Sequence, residues 1–424
     1  MSDDAGSPGN AGAPAAPSTK QRLGGRILAL VVSLTLTLAL VEAILRVAFP
    51  AQTHYYVWPP RTKKALRPDP AHMPGVSGDN HFTVNTQGIR GKELGPDAEY
   101  RLLAIGGSTT ECLYLDDPEA WPALVGQALP QTADDRPVWI GNVGKAGTYS
   151  RDHVVQLEHL APQLPRLDTV LVLVGINDLT VTLAQGDHYA PPRPITEPEA
   201  DRQQVRRAFA IAPGRLQDVS TDELGPAEAP FFKRTALYQL LKRTRAGLAN
   251  QTGAHGLAQD ETGQMYAAWR EHRAHPSELR TAPPDLTAPL AEYRHNLAVL
   301  ADLAKAGHQR LVLLTQPTLW RPDLPKESLD LLWLGGVGSF QEQSGKAYYS
   351  VAVLADTMRR YNEVVLDLCR ERGLSCIDLA SRIPKEGTMF YDDCHFTQEG
   401  SRAVATVVTR HLKHLPPFAP APAL

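Results

Sequence analysis

An α/β fold built on a mostly parallel, five-stranded sheet is predicted for this chain by three observations. Short apolar runs alternate with longer helical patterns from about residue 101 to residue 415, the order that calls for a parallel sheet with right-handed crossovers. Polar, glycine-rich clusters follow several of those runs, on the side where such a sheet gathers its ligand site. An apolar stretch near the N-terminus stands outside the alternation and predicts a transmembrane helix.

The chain has 424 residues, 43% hydrophobic and 21% charged, with a formal net charge of −3. That is enough apolar residue for a large core. Acids and bases are mixed, so nothing marks a nucleic-acid partner. Residues 1–22 hold Ala, Gly, Pro, Ser and a few charges and predict a disordered tail. Residues 23–49 contain the run "ILALVVSLTLTLALVEAILRVAF", charged only at Glu42 and Arg46. A helix of this length can cross a hydrocarbon core of roughly 30 Å. Glu42 and Arg46 stand i,i+4 and can pair. Lys20, Arg22 and Arg26 precede the run, which by the positive-inside rule keeps the N-terminus in the cytoplasm. No small-residue cleavage signal follows near 48–52, so an uncleaved anchor is expected, with membrane lipid as its partner. The bulk of the chain is then extracytoplasmic, where disulfides persist.

Residues 50–80 are Pro-rich and predict a spacer. The catalytic-type domain is expected over 81–415, with a tail at 416–424. Its strands are read at 101–105, 137–144, 169–175, 310–316 and 375–380. The third, "TVLVLVG", is β-branched and suits a strand buried on both faces. Helices are read at 119–129, 150–164, 290–307, 353–373 and from Thr397 onward, the fourth stopped by Gly373. Residues 180–285 break the rhythm and predict a helical and irregular insertion, with a helix at 232–247, set as a lid over the site.

The chemistry falls at the strand ends. Gly106-Gly107-Ser108-Thr109 follows the first strand; Asn142, Gly144 and Gly147 follow the second; Gly175-Ile176-Asn177-Asp178 follows the third. "FYDDCHFTQEG" lies beyond the fifth. A hydrolytic serine needs a base, a group to orient the base, and donors for the oxyanion. Ser108 is the candidate nucleophile, His395 the base and Asp392 its orienter, with Asp393 as the runner-up. The Ser108 and Gly147 backbone N–H groups and the Asn177 amide are the candidate oxyanion donors. Each block alone is more often an ordinary turn; their joint occurrence carries the reading. Gln316 ends the fourth strand and is a candidate substrate contact, with a loop-capping amide as the alternative. No Asp/Glu/His/Cys set has metal-ligand spacing, so neither metal nor cofactor is expected.

These four blocks resemble the SGNH/GDSL esterases and lipases. "GGSTT" is similar to the block that carries the nucleophile, "NVGKAGTYS" and "GIND" to the oxyanion blocks, and "DDCH" to the Asp-x-x-His block. "NTQGIRG" resembles a segment that precedes the nucleophile in bacterial envelope members. The resemblance implies a three-layer α/β/α sandwich with a flavodoxin-like sheet. Two departures stand out: Gly107 replaces the usual Asp before the serine, and Cys112 replaces a frequent Gly four residues after it.

If Ser108 and His395 are bonded, their neighbours Cys112 and Cys394 are expected to form a disulfide. Cys369 and Cys376 are expected to pair across a tight turn. The function implied is an esterase in the periplasm, held on the bacterial inner membrane and cleaving an acyl ester of a glycan or lipid. An O-acyltransferase and a non-catalytic subunit of a membrane assembly are the rivals. The transferases of this type place their Asp-x-His before the serine, which favours the hydrolase.

Overall fold

The computed structural model describes residues 19–48, 53–95, 99–192, 198–213, 235–238, 240–241 and 260–419. Two compact units are formed, one from Met1–Thr53 and Pro213–His255, the other from His54–Ala212 and Gly256–Leu424.

The larger unit is built on five strands: β3 (Tyr100–Gly106), β4 (Val138–Asn142), β5 (Thr169–Leu173), β7 (Arg310–Leu314) and β9 (Ser375–Ile377). They are parallel throughout, in the order β4-β3-β5-β7-β9. This is the flavodoxin-like order. The central strands β3 and β5 are buried along their whole length, which is why they read as continuous apolar runs. Helices Trp121–Ala128 and Gln398–Leu412 pack together on one side. Helices Ser150–Leu160, Thr287–Ala306 and Val351–Arg372 form a second group, whose members pack on one another. The three-layer sandwich follows from burying both faces of a parallel sheet. Gly373, at φ 63°, ends its helix in the left-handed conformation the sequence implied.

The sheet reverses its winding between β3 and β5. A crevice at the carboxyl ends is forced there, because the crossovers on either side leave in opposite directions. Ser108 leaves β3 and Asn177 leaves β5, so both stand at that crevice.

Residues 54–80, expected as a spacer, are instead part of this unit. Val57, Met73 and Val76 are fully buried, and Leu66 nearly so. Strands β1 (Lys63–Leu66) and β2 (Asn80–Thr83) pair antiparallel. The prolines hid a segment whose larger aliphatic residues face inward. Residues 416–418, expected as a tail, also pack back: Phe418 meets Tyr100 edge-on.

The expected insertion at 180–285 divides between the two units. Helix Pro198–Ala208 packs on Ser150–Leu160. Helix Met265–Ala274 and strand β6 (Glu278–Arg280), paired in parallel with β8 (Ala347–Tyr349), belong to the larger unit. Residues 235–241 fall in the smaller unit; most of the helix expected at 232–247 lies outside the described residues. In the smaller unit, helix Thr19–Ala48 contains an apolar span, Gly25–Ala48, of mean hydropathy 2.5 and none of it buried. By length and composition it can cross a membrane. Glu42 pairs with Arg46 as its spacing implied, and it also accepts the Ala236 and Leu237 N–H groups.

Candidate active site

Ser108 opens the four-residue helix Ser108–Glu111 directly after β3. Its Oγ lies 2.7 Å from His395 Nε2. His395 Nδ1 lies 2.6 Å from Asp392 Oδ2. The other Asp392 oxygen accepts the N–H groups of Cys394 and His395 at 2.9 and 2.8 Å. A Trp333 Nε1–H donor at 2.9 Å completes the set on Oδ2. A buried carboxylate with four donors has every reason to stay ionised and fixed. Burial acts to raise the Asp392 pKa, but His395 and these donors outweigh it and hold it below the ordinary value. Burial acts to lower the His395 pKa, but the Asp392 charge and hydrogen bond carry it above the ordinary imidazole value.

Asp393 points elsewhere. It accepts Trp320 Nε1 at 2.7 Å and the Trp333 and Leu334 N–H groups at 2.7 and 3.1 Å. It anchors the 333–334 turn, and through it the indole that orients Asp392. Burial and the adjacent Asp392 charge push its pKa up.

The second and third blocks meet the first. Asn177 Nδ2 donates to the Thr148 carbonyl at 2.7 Å; an amide has a second N–H for another acceptor. Thr148 Oγ donates to the Lys145 carbonyl at 2.7 Å, and Lys145 N–H donates to the Gly106 carbonyl at 3.1 Å. Gly147, at φ 75°, takes the left-handed bend between them, and a Cβ there would meet nothing. Its glycine is therefore demanded by the backbone and not by crowding. Gly107 is the opposite case: a Cβ would come 2.5 Å from Asn177 Nδ2. An Asp at this position would therefore require the Asn177 amide to shift from where it stands.

Several residues that support this site carried no motif. Arg90, in the "NTQGIRG" segment, is buried and donates to the carbonyls of Glu111, Cys112 and Leu115 at 2.6, 2.9 and 2.8 Å. Glu111 is buried and accepts the Ala146 N–H at 2.7 Å, tying the nucleophile's helix to the Gly147 loop. Burial raises its pKa to about 7 against the pull of that bond, Lys64 and Arg90. Tyr266, from helix Met265–Ala274, sets its ring 6.1 Å from that of His395, and Arg270 holds the Tyr391 carbonyl at 2.9 Å. Part of the expected lid thus packs directly on the histidine. A signal existed only for Arg90, in its motif; Trp333, Tyr266 and Arg270 reach the site through tertiary packing.

Gln316 does not reach the opening. It is buried, accepts the Thr109 hydroxyl at 3.3 Å and donates to the Pro317 carbonyl at 2.8 Å. Cys369 and Cys376 form the expected disulfide, with Cα atoms 6.3 Å apart. The Cys112–Cys394 disulfide is not formed; both are buried free thiols. Cys112 turns its Sγ onto the Thr109 carbonyl at 3.4 Å, whereas Cys394 Sγ lies 3.8 Å from His395 Nδ1. Burial pushes the Cys112 thiol up to about 12, and burial with the two aspartates pushes Cys394 well above its ordinary value. Neither supplies the thiolate that exchange requires. Among the described residues, Asp392, Cys394 and His395 are the only group with metal-ligand proximity, and their carboxylate and imidazole are already bonded to each other.

A serine, a histidine and a carboxylate hydrogen-bonded in a row at the carboxyl edge of a parallel sheet is an arrangement that serine hydrolases use. The model of the GDSL-like Lipase/Acylhydrolase family matches residues 104–403. The chain belongs to that family. A curated relative, GDSL esterase/lipase WDL1 of Oryza sativa subsp. japonica, is 28% identical over 131 residues, covering 30% of this chain. The match spans 44% of that protein's length. Among solved structures, a lipolytic G-D-S-L family protein from Veillonella parvula DSM 2008 aligns over 74% of this chain and 100% of its own. Its TM-score is 0.37 and its identity 10%. Axe2, an acetylxylan esterase from Geobacillus stearothermophilus, aligns over 74% of this chain and 94% of its own, with a TM-score of 0.36 and 13% identity.

Proposed function

We propose that this protein is a membrane-anchored, extracytoplasmic serine esterase that uses Ser108, His395 and Asp392 as its catalytic triad. One observation carries the reading: the unbroken chain of short hydrogen bonds from Ser108 Oγ through both His395 nitrogens to Asp392. His395 Nε2 takes the Ser108 proton as Oγ bonds to the ester carbonyl carbon. The carbonyl π pair moves to oxygen, where Ser108 N–H, Gly147 N–H and the Asn177 amide receive it. The C–O bond to the alcohol breaks, and His395 returns its proton to the departing oxygen. Water then repeats the sequence on the acyl-serine and releases the acid.

The apolar span Gly25–Ala48 and the basic residues before it support anchoring in a bacterial inner membrane with the N-terminus inside and the hydrolase domain in the periplasm. A glycan or lipid ester is the substrate class this location offers. The decisive experiment is hydrolysis of an aryl acetate by the full chain in detergent, compared with Ser108→Ala and His395→Ala. Loss of at least about 10³-fold in kcat is expected from each; activity unchanged in Ser108→Ala would end the reading. Adding a glycan acceptor to the same assay separates hydrolysis from acyl transfer.

A further inference from the structure

A cavity of about 10 Å³ opens against the proposed nucleophile. Ser108 and His395 line it together with Cys112, Tyr114, Leu115 and Phe396. That volume is roughly one water-sized sphere, which is also the scale of a methyl group. From its position and size we infer that this cavity receives the acyl methyl and restricts the enzyme to acetyl esters, with Cys112 as the residue that sets the limit. The inference rests on the esterase reading above and names the substrate class of that site.

The walls are held too firmly to make room. Cys112 sits at φ 51°, a left-handed conformation that disfavours any side chain. It is kept there by its N–H bond to the Ser108 carbonyl at 3.0 Å and by Arg90 on its own carbonyl. Tyr114 is tied through its hydroxyl to the Asp260 carbonyl at 2.7 Å. Arg90 also holds the Leu115 carbonyl. Tyr391, at the cavity's edge, is stacked on His395 with rings 5.5 Å apart and 10° from parallel. Cys112 and Tyr114 are thus held by hydrogen bonds, and Tyr391 by its stacking on His395. A longer chain must displace Cys112 or disturb His395, and overpacking of such a wall is unfavourable. The alcohol half of a glycan ester is far too large for this cavity, so the acyl half is the part assigned to it.

Cys112 is the lining residue whose side chain can be removed with least damage, because glycine favours the backbone conformation already present. Hydrolysis of p-nitrophenyl acetate, propionate, butyrate and octanoate by the full chain tests the assignment. For the native protein, kcat/KM is expected to fall about 10–200-fold for the first methylene beyond acetate. Cys112→Gly is expected to raise the butyrate-to-acetate ratio by on the order of tenfold, and Cys112→Ala to move it in the same direction. The ratio is internal to each variant, so a partly folded preparation still reports. Butyrate or octanoate cleaved as well as acetate by the native protein would overturn the inference. So would a ratio unmoved in both variants. Methyl butyrate cleaved as readily as the aryl acetate would assign the cavity to the alcohol half and overturn it too. In all three cases a fluorophosphonate would still label Ser108; failure of that labelling would overturn the esterase reading itself.

Discussion

His395 is hydrogen-bonded at both ring nitrogens, and in the proposed mechanism it acts as a base only when neutral. Asp392 raises its pKa above the ordinary value, so activity is expected to appear as pH rises through a midpoint above about 6.5. Asp392→Asn removes the charge responsible. It is expected to lower kcat by on the order of 10⁴ and to move the acid limb of kcat/KM toward lower pH. A pH–rate profile of both proteins checks this; an unmoved limb would mean that some other group titrates. The same pair affects stability with opposite signs at its two ends. The raised His395 pKa contributes stability that is complete below the unfolded imidazole value and is lost as pH rises through the folded one. The lowered Asp392 pKa contributes stability that is complete above the unfolded carboxyl value and is lost as pH falls through the folded one. Gly107 gives a sharper test of local packing. Gly107→Asp restores the more usual residue but drives a side chain into Asn177 Nδ2. A fall of about 10²–10³ in kcat is expected, the loss typical of one oxyanion donor, with KM little changed. If Gly107→Asp is fully active, the Asn177 amide yields to the new side chain and the close approach at Gly107 does not hold it in place.

At the scale of elements, the sheet strands were legible because they are short apolar runs, the central ones buried along their whole length between two helical layers. The site was legible for the same reason: a parallel sheet leaves its ligand at the carboxyl ends, and the polar clusters stand there. What escaped was tertiary. Residues 50–80 looked like a tether, yet from His54 onward they belong to the larger unit, and nothing in the "NTQGIRG" motif said that its Arg90 would hold three carbonyls of the turn after Ser108. Arg90→Ala strands those carbonyls in a buried setting and is expected to destabilise the larger unit by about 3 kcal/mol. A lowered Tm with kcat reduced in proportion to the folded fraction would show a purely structural role. A fall in kcat beyond that fraction is the outcome expected of a clamp on the nucleophile. The Cys112–Cys394 expectation failed for a related reason. Bonding between Ser108 and His395 brings their neighbours close, but a disulfide also needs Cβ vectors that converge. The left-handed turn at Cys112 sends its sulfur back onto its own helix.

Across the whole molecule, the chain combines a membrane-length apolar helix with a hydrolase fold, and its cysteines report on the environment. The Cys369–Cys376 bridge closes a loop with a sequence separation of 7, worth about 2 kcal/mol in the chain-entropy model. It lies between a helix end and an edge strand, and Cys369→Ser with Cys376→Ser is expected to lower Tm while leaving kcat within about twofold. Cys112 and Cys394 are expected to resist alkylation until the protein unfolds, because both are buried and hold their protons. Rapid alkylation of either in the folded protein would contradict the packing described around Ser108. The proposed chemistry turns on Ser108. Full-length protein treated with a fluorophosphonate and digested should carry the phosphonyl adduct on the peptide containing Ser108, and labelling should vanish in Ser108→Ala and collapse in His395→Ala. An unlabelled Ser108 in folded protein, or an adduct on another residue that survives Ser108→Ala, would contradict it.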